Sequence, residues 1–438
     1  MKQIVTASRK RGFRRCDWAK WAFVFSCFAT AVAHADFQGA SHMMPFDEEG
    51  INYSKTKDSG PIARLQARLD QGKAELGFDA RFGFLPALLR ELGMASNSQM
   101  LVFSKTSFQR ERISPHTPRA LFMSDDAYIG FIPGSPLLEI SAVDPTLGGV
   151  FYTLEQKAVP KPRFVRTDQC LECHASAKSM GVPGHLVRSF MTDENGVVDL
   201  ASGISPVNHR TPLADRWGGW YVTGKHGSQT HRGNLIGQAA FERQAREPGY
   251  GGNVVDLSGF FETSRYLTPQ SDLVALMVLE HQTHLHNFLT RLHYQASLAL
   301  QQYGHVNYLN SIIEAFLKYL LFIEEAPLSG TIAGTSGYAE WFARQGPCDK
   351  QGRSLRQFDL QKRLFKYPCS YVIYSEAFDA LPDAIRAKIF RRLWEILSGQ
   401  DASADFARIS PESKRVILEI LGETKSDLPD YWKAPGRN

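Results

Sequence analysis

The chain has 438 residues, of which 43% are hydrophobic and 11% aromatic, so it is long and apolar enough to bury a sizeable core. This composition excludes a disordered or collagen-like protein. The net charge of +5 originates in the first 35 residues, where seven Lys and Arg face one Asp, which leaves the remainder at −1. The basic pI of about 8.8 therefore gives no support to nucleic-acid binding.

The basic N-terminus has the layout of a secretory signal peptide. An apolar run over residues 21–33 follows the basic stretch, and Ala33 and Ala35 are the small residues that precede a cleavage site. The run is shorter than the roughly 20 residues that span a bilayer, so we expect the mature chain not to cross a membrane. We predict a signal peptide over residues 1–35, cleavage after Ala35 and export to the periplasm. An uncleaved anchor and lipidation at Cys27 stay open as alternatives.

The most specific feature of the sequence is the pentapeptide Cys170-Leu171-Glu172-Cys173-His174. Two thiols at this spacing can form thioethers with both vinyl groups of one haem, and the following histidine then binds the iron. A zinc half-site is the weaker interpretation because the chain offers no second pair of ligands at similar spacing. A thiol–disulfide redox pair has no need of the trailing histidine. The motif therefore predicts one covalent haem c held by Cys170, Cys173 and His174, with His174 as the iron ligand.

The pattern of apolar residues changes twice along the mature chain. Residues 36 to about 60 indicate an arm, and short helices are predicted from Pro61 and over 84–92. Alternation with a period of two then predicts strands, at 100–103, 119–123, 127–132, 137–143 and 150–154. The motif is predicted on a loop or a single helical turn. After it, strands over 185–191 and 197–200 are expected to form a hairpin around Asn195-Gly196, with positive φ at both residues.

Helical periodicity dominates the rest of the chain. It predicts helices at 272–302, 307–324, 355–365, 383–397 and 411–421, the last capped by Ser410. We therefore predict an α+β protein, in which a sheet-rich, haem-bearing N-terminal domain (36–260) precedes an all-helical C-terminal domain (261–438).

The ligand on the other face of the iron decides between an electron carrier and a site for small molecules. The candidates are side chains that can coordinate iron, namely His226, His231, His281, His284, Met191 and Met180. His281 and His284 of the 272–302 helix share one face, which can hold a metal, but a place on a polar helix face or at the interface between the domains is the simpler interpretation. Three arginines flank the motif and are candidates to pair with the haem propionates or to lie solvated at the surface: Arg163, Arg166 and Arg188.

Two cysteines of the predicted mature chain lie outside the motif. A disulfide between Cys348 and Cys369 would close a loop of about 22 residues and add roughly 3 kcal/mol of stability. We predict this bridge, with two free buried thiols as the alternative.

The Cys170-x-x-Cys173-His174 string resembles that of c-type cytochromes. The wider chain is similar to large exported bacterial proteins with one such motif, on the segments at 101–107, 216–224 and 358–360. The resemblance implies covalent haem but brings no known substrate. The sequence thus predicts a periplasmic c-type cytochrome that passes single electrons to a redox partner protein. A haem-dependent oxidoreductase or a gas or ligand sensor with an open distal iron site is the alternative, because a simple shuttle needs no helical domain of this size. A weaker possibility is a structural haem beside a helical docking domain.

Overall fold

The segments of alternating apolar residues fold into a mostly antiparallel β architecture. The computed structural model describes residues 43–203, 205–401 and 403–432. The predicted signal peptide, its cleavage site after Ala35 and Cys27 lie outside these residues. The described strands are β1 (Met100–Val102), β2 (Arg119–Met123), β3 (Ala127–Phe131), β4 (Leu137–Asp144), β5 (Gly148–Glu155), β6 (Phe164–Arg166), β7 (Arg188–Ser189), β8 (Ser205–Pro206) and β9 (Trp220–Tyr221).

Seven of these strands form one antiparallel sheet in the order β6-β5-β4-β3-β2-β1-β9, and β7 pairs separately with β8. The five predicted strands of the sheet agree with β1–β5 to within two residues at each end. The strands β6 and β9 were not predicted, because two or three residues are too short to show a period of two.

The two faces of the sheet have different neighbours. In the described residues the helices before the sheet are α1 (Pro61–Asp70) and α2 (Leu85–Glu91), close to the predicted bounds. Every second residue of β4, including Leu138 and Ile140, packs into the hydrophobic core that these two helices share with the sheet. Glu139 and Ser141 alternate with them and point to the other face, which is covered by the Cys170–His174 motif and by a long helix.

The later helices follow the predicted periodicity in most places. They are α3 (Leu171–His174), α4 (Gln238–Arg246), α5 (Leu273–Tyr303), α6 (Asn310–Leu320), α7 (Tyr338–Ala343), α8 (Glu376–Asp379), α9 (Asp383–Leu397) and α10 (Pro411–Thr424). Ser410 caps α10 as predicted, accepting a hydrogen bond from the Ser413 amide at 3.1 Å. The helix α4 falls in a stretch for which no helix was expected.

The helix α5 is the central element of the C-terminal half. Every residue from 273 to 292 except His284 is buried, so this part of the helix is enclosed on all sides rather than amphipathic. It packs against β5 of the sheet and against α6, α7 and α8. Gly304 ends the helix with φ +72°, a left-handed conformation that costs glycine nothing.

One aspartate fixes the start of α5. Asp272 Oδ1 accepts hydrogen bonds from the amides of Val274 (2.9 Å) and Ala275 (3.1 Å). Its Oδ2 accepts from the amides of Thr335 (2.8 Å) and Ser336 (2.9 Å), about 60 residues later in the chain. A single buried carboxylate therefore caps the helix and anchors a distant loop to it.

Two predicted elements are wrong. Residues 355–365 are not helical: Phe358 and Phe365 pair as an isolated antiparallel bridge, and Leu360 has φ +55°, which no helix accepts. The hairpin predicted over 185–200 is reduced to a single bridge between Thr192 and Val198, and only Gly196 of its turn has positive φ.

The predicted fold class is confirmed: an antiparallel sheet occupies the N-terminal half and helices dominate the C-terminal half. The described residues belong to one compact unit, and a division into domains at residue 260 stays a prediction. Among these residues, no helix combines the length and the apolar character required to cross a bilayer.

The anchoring role of Asp272 leads to a stability prediction. We expect Asp272→Ala to lower the free energy of unfolding by about 3 kcal/mol, because it leaves several backbone amides without their acceptor. The matched control is Asp383→Ala in the first turn of α9, where the carboxylate is 92% exposed and the loss should stay below about 0.5 kcal/mol. Urea unfolding followed by circular dichroism measures both, and equal losses would contradict the role given to Asp272.

Candidate functional site

The Cys-x-x-Cys-His motif forms one helical turn, α3, held from both sides by hydrogen bonds. The His174 amide donates to the Cys170 carbonyl at 2.9 Å. The carbonyl of His174 accepts from Ser179 Oγ (3.0 Å) and from the Gly184 amide (2.9 Å). Cys170 is half-buried and Cys173 is exposed, and both are free thiols. The turn therefore presents two accessible thiols and the histidine within five residues.

The imidazole of His174 has a fixed tautomer. Its Nδ1 lies 2.9 Å from the carbonyl oxygen of Gly184, and since a carbonyl can only accept, Nδ1 must carry the proton. The lone pair is then on Nε2, the nitrogen that is free to bind a metal. The Phe151 ring packs on the imidazole at a centroid distance of 4.8 Å. Burial, assisted by the nearby charges of Arg188 and Arg119, lowers the pKa of His174 to about 4, so the ring is neutral near pH 7.

The carbonyl that orients His174 is itself held by α5. Asn287 accepts from the His185 amide at 2.9 Å and donates to the His185 carbonyl at 2.8 Å. At Gly184 a Cβ would lie 2.1 Å from Asn287 Oδ1, so no other residue fits there without a shift. The amide of Gly149 at the start of β5 also bonds to the Pro183 carbonyl at 2.9 Å. Sheet and helix together therefore position the motif histidine.

The face of the sheet below the motif carries an ion pair. Arg119 Nη1 lies 2.6 Å from Glu139 Oε2, and the arginine stem crosses Gly130 of the intervening strand to reach it. Burial raises the pKa of Cys170 to about 11, and the negative charge of Glu139 acts in the same direction. The thiol of Cys170 is thus protonated at neutral pH.

The three flanking arginines have different surroundings. Arg166 donates to the carbonyls of Tyr53 (2.7 Å) and Thr56 (2.9 Å), and Arg163 is a largely exposed partner of Asp70. Arg188 is half-buried, packs over the Phe190 ring and forms no ion pair with a carboxylate in the described part of the chain. Burial lowers the pKa of Arg188, and the nearby charge of Arg119 acts in the same direction. Arg188 is therefore the arginine best placed for an anionic group at the motif.

His185 belongs to the site although sequence analysis did not select it. Its ring lies 5.8 Å from that of Phe151, which also packs on His174, and 4.5 Å from that of Tyr128. Nε2 is 3.0 Å from Ser141 Oγ. Burial and the neighbouring His174 lower the pKa of His185 well below its ordinary value. No motif marks this residue, and its position eleven residues after His174 was the only available signal.

The glycine-flanked histidines are placed together, but their contacts are local. The rings of His226 and His231 are 4.8 Å apart and both residues are buried. His226 Nε2 accepts a hydrogen bond from the Asn253 amide (2.9 Å), and His231 Nδ1 accepts from the Gly233 amide (3.0 Å). The nitrogen of His226 that most often binds metals is therefore already used.

The two candidate histidines of α5 have partners away from the motif. His281 Nδ1 lies 2.8 Å from His209 Nδ1, and Nε2 lies 2.7 Å from Ser370 Oγ, so both of its nitrogens are engaged. The ring of His284 packs on Tyr319 of α6 at 4.6 Å, and its Nε2 is buried without a hydrogen-bond partner among the described residues. Burial lowers the pKa of His284 to about 3. The expectation of a polar helix face is wrong, because His281 is fully buried and the half-buried His284 packs its ring on Tyr319.

The two methionine candidates lie in irregular chain. Met180 is fully buried, has φ +63°, and its carbonyl accepts from Arg291. Met191 is half-buried and lies outside the short strand β7, with its carbonyl bonded to the Asp199 amide at 2.9 Å.

The disulfide predicted between Cys348 and Cys369 is not formed in the structure. Both residues are free thiols, Cys348 at the surface and Cys369 fully buried. Burial also raises the pKa of the Cys369 thiol, which keeps it protonated and unreactive.

The described residues contain no group of three or more His, Cys, Asp or Glu side chains arranged to hold a metal ion. No family model, no curated protein and no solved structure matches this chain.

The unequal exposure of the motif thiols predicts their order of reaction. In protein prepared without haem, iodoacetamide should modify Cys173 before Cys170. The rate at Cys170 should rise about tenfold per pH unit until its pKa of about 11. Peptide mass spectrometry at pH 7 to 10 measures both rates. Cys369 is the internal control and should react only after denaturation; a Cys170 rate that levels off near pH 8 would contradict the prediction.

The packed ring of His284, with its Nε2 atom buried, predicts a pH effect on stability. Its folded pKa of about 3 lies below the unfolded value of about 6.5, so the unfolded state binds more protons between these values. Stability is therefore lost as the pH falls below about 6.5. We expect His284→Leu to reduce the loss between pH 7 and pH 5 by about 1–2 kcal/mol, as measured by urea unfolding. The control His116→Gln, at an exposed site, should leave the pH dependence unchanged, and an unchanged slope in His284→Leu would contradict the prediction.

Proposed function

We propose that this chain is a periplasmic c-type cytochrome that carries one covalent haem and transfers single electrons. Cys170 and Cys173 would form the two thioethers, and Nε2 of His174 would be the proximal iron ligand. The observation that carries the proposal is the hydrogen bond from His174 Nδ1 to the Gly184 carbonyl. It leaves the lone pair on Nε2 and fixes the plane of the ring before any iron is bound, as the partners of metal-binding histidines generally do.

The surroundings of the motif fit the attached group. Both thiols are accessible on one turn, and Phe151 packs against the proximal imidazole. Arg188, without a carboxylate partner in the described residues, would pair with a haem propionate, because a planar guanidinium matches a carboxylate. Haem supplies one-electron chemistry when bound. Residues of this chain orient the imidazole of His174, and Arg188 would balance the negative charge of a propionate. Glu139 adds no unpaired charge, because Arg119 already neutralises it.

The proposed location and partner rest on the sequence. The basic and apolar segments before Asp36 have the layout of a secretory signal, and haem attachment to exported proteins takes place outside the cytoplasmic membrane. One haem stores one electron, so we propose that the protein exchanges electrons with a redox partner protein rather than completing a multi-electron reaction alone.

The second candidate is a haem enzyme or a ligand sensor with an open distal site. The contacts of the distal candidates favour it: His226 Nε2 and both nitrogens of His281 are engaged locally, and His284 is packed against α6. A distal ligand from among them would have to give up a buried hydrogen bond or a packed position. Such a loss costs about 1–3 kcal/mol and must be outweighed by iron binding.

Covalent attachment is the primary test. In cells competent in haem maturation, the peptide that contains Cys170 and Cys173 should carry a mass increase of roughly 616 Da. Cys170→Ala and Cys173→Ala should each remove one thioether, whereas Cys348→Ala, at an exposed cysteine outside the motif, should leave the adduct intact. An unmodified peptide from the wild-type protein would refute the proposed function.

Optical spectra of the loaded protein distinguish the two candidates. A low-spin ferrous spectrum that carbon monoxide does not change would support the electron carrier. A high-spin spectrum with ready carbon monoxide binding would support the open distal site.

A further inference from the structure

A cleft of about 410 Å³ lies beside the loop that leads into α2, and no residue of the Cys170–His174 motif lines it. The residues that line it include Phe78, Phe82 and Phe131 together with Arg81 and Arg112. The volume is in the range of small-molecule sites. Three aromatic residues and two basic residues therefore line the same cleft.

Both walls of the cleft are short turns closed by backbone hydrogen bonds. On one side the Asp79 amide donates to the Gly83 carbonyl (2.8 Å), and the Gly83 amide donates to the Asp79 carbonyl (2.9 Å). On the other side the Ser135 amide donates to the Ile132 carbonyl at 3.0 Å. Gln156 supports the first turn by accepting from the Phe84 amide at 2.9 Å. The cleft is therefore formed before any ligand arrives, which reduces the cost of binding.

The charges of the cleft are not neutralised within the described residues. Neither Arg81 nor Arg112 forms an ion pair there, although Arg81 stacks over the Phe82 ring at 4.9 Å. An acidic group close to Arg81 is Asp79, whose Oδ1 accepts from the amides of Arg81 and Phe82, both at 2.8 Å. Because this carboxylate is occupied by its own turn, the guanidinium donors of both arginines remain available to an anion.

We propose that this cleft is a binding site for a small organic anion with a flat apolar body, such as an aromatic carboxylate. The phenylalanine rings contact the flat body, and the two arginines bind the carboxylate, for which a planar fork of donors is suited. A neutral molecule of the same shape contacts the rings but lacks the carboxylate that the two arginines bind. The site is separate from the motif and does not depend on haem attachment.

A chain of hydrogen bonds joins the cleft to the motif. Ser135 Oγ donates to Gln109 Oε1, and Gln109 Nε2 donates to Glu139 Oε1 at 3.2 Å. The other oxygen of Glu139 accepts from Arg119 at 2.6 Å. The side chain of Glu139 lies on the face of the sheet that carries Cys170. The cleft is thus connected through Ser135 and Gln109 to Glu139, whose charge acts on Cys170 of the motif.

The test is a calorimetric titration of the purified exported protein with 2-naphthoate and with the neutral 2-naphthylmethanol. We expect saturable binding of 2-naphthoate, with a dissociation constant of about 0.1–1 mM for a ligand of this size, and at least tenfold weaker binding of the alcohol. Arg81→Gln and Arg112→Gln should each weaken 2-naphthoate binding about five- to tenfold, since each removes a charge-assisted contact. Both arginines are exposed, so the fold should be retained, which circular dichroism checks.

The matched control is Arg110→Gln, which removes a neighbouring exposed charge, paired with Glu111, that does not line the cleft. It should leave the affinity unchanged. Three outcomes would overturn the proposal: no saturable binding, equal affinity for the alcohol, or an equal loss in the control, which would indicate general attraction of anions. Failure here leaves the mass adduct on the motif peptide unaffected, so the two proposals are tested separately.

Discussion

The arrangement of the Cys170–His174 motif depends on one hydrogen bond, from His174 Nδ1 to the carbonyl of Gly184. A carbonyl at this point is available only because residues 183–185 run between β5 and α5 in a fixed position. Asn287 holds the backbone on both sides of the His185 α-carbon, and Gly149 holds the Pro183 carbonyl. A motif of five residues can be read from the sequence alone, but the orientation of its histidine is determined by residues more than a hundred positions later in the chain.

The motif itself needs only a single helical turn, whereas holding the Gly184 carbonyl requires a sheet on one side and a buried helix on the other. The helix α5 satisfies this requirement because it is enclosed from residue 273 to 292. Such a helix must place its polar residues against partners, and Asn287, His281 and Asp272 each have them. The polar residues inside α5 thereby set its rotation and its depth in the fold.

The sequence predicted elements well where one physical signal was sufficient. The bounds of β2 and α9 follow from periodicity, and Ser410 caps α10 as its residue type requires. The segment 355–365 has apolar residues at helical spacing, yet tertiary contacts determine its structure: Phe358, Phe365 and Tyr371 pack as an aromatic cluster around an open loop. In this segment the burial of large rings outweighs a helix propensity that is worth only a few tenths of a kcal/mol per residue.

The composition of the site shows the same limit. Cys170, Cys173 and His174 could be identified because their chemistry requires a fixed spacing. His185 and Glu139 could not be identified, because only the fold brings them close to the motif and no spacing in the sequence marks them. His226 and His281 were reasonable iron ligands by residue type, but a histidine nitrogen that already accepts or donates a buried hydrogen bond is costly to redirect. Spacing indicates what a residue can bind, and only the fold shows whether its donor atoms are free.

Glu139 shows how a residue of the supporting sheet acts on the motif. One of its oxygens accepts from Arg119 and the other from Gln109, which in turn accepts from Ser135 at the cleft. The charge of Glu139 acts on Cys170 and on His174 in the motif. Because a charge acts through space, Glu139 influences the motif from a position that is fixed by residues of the sheet and of the cleft.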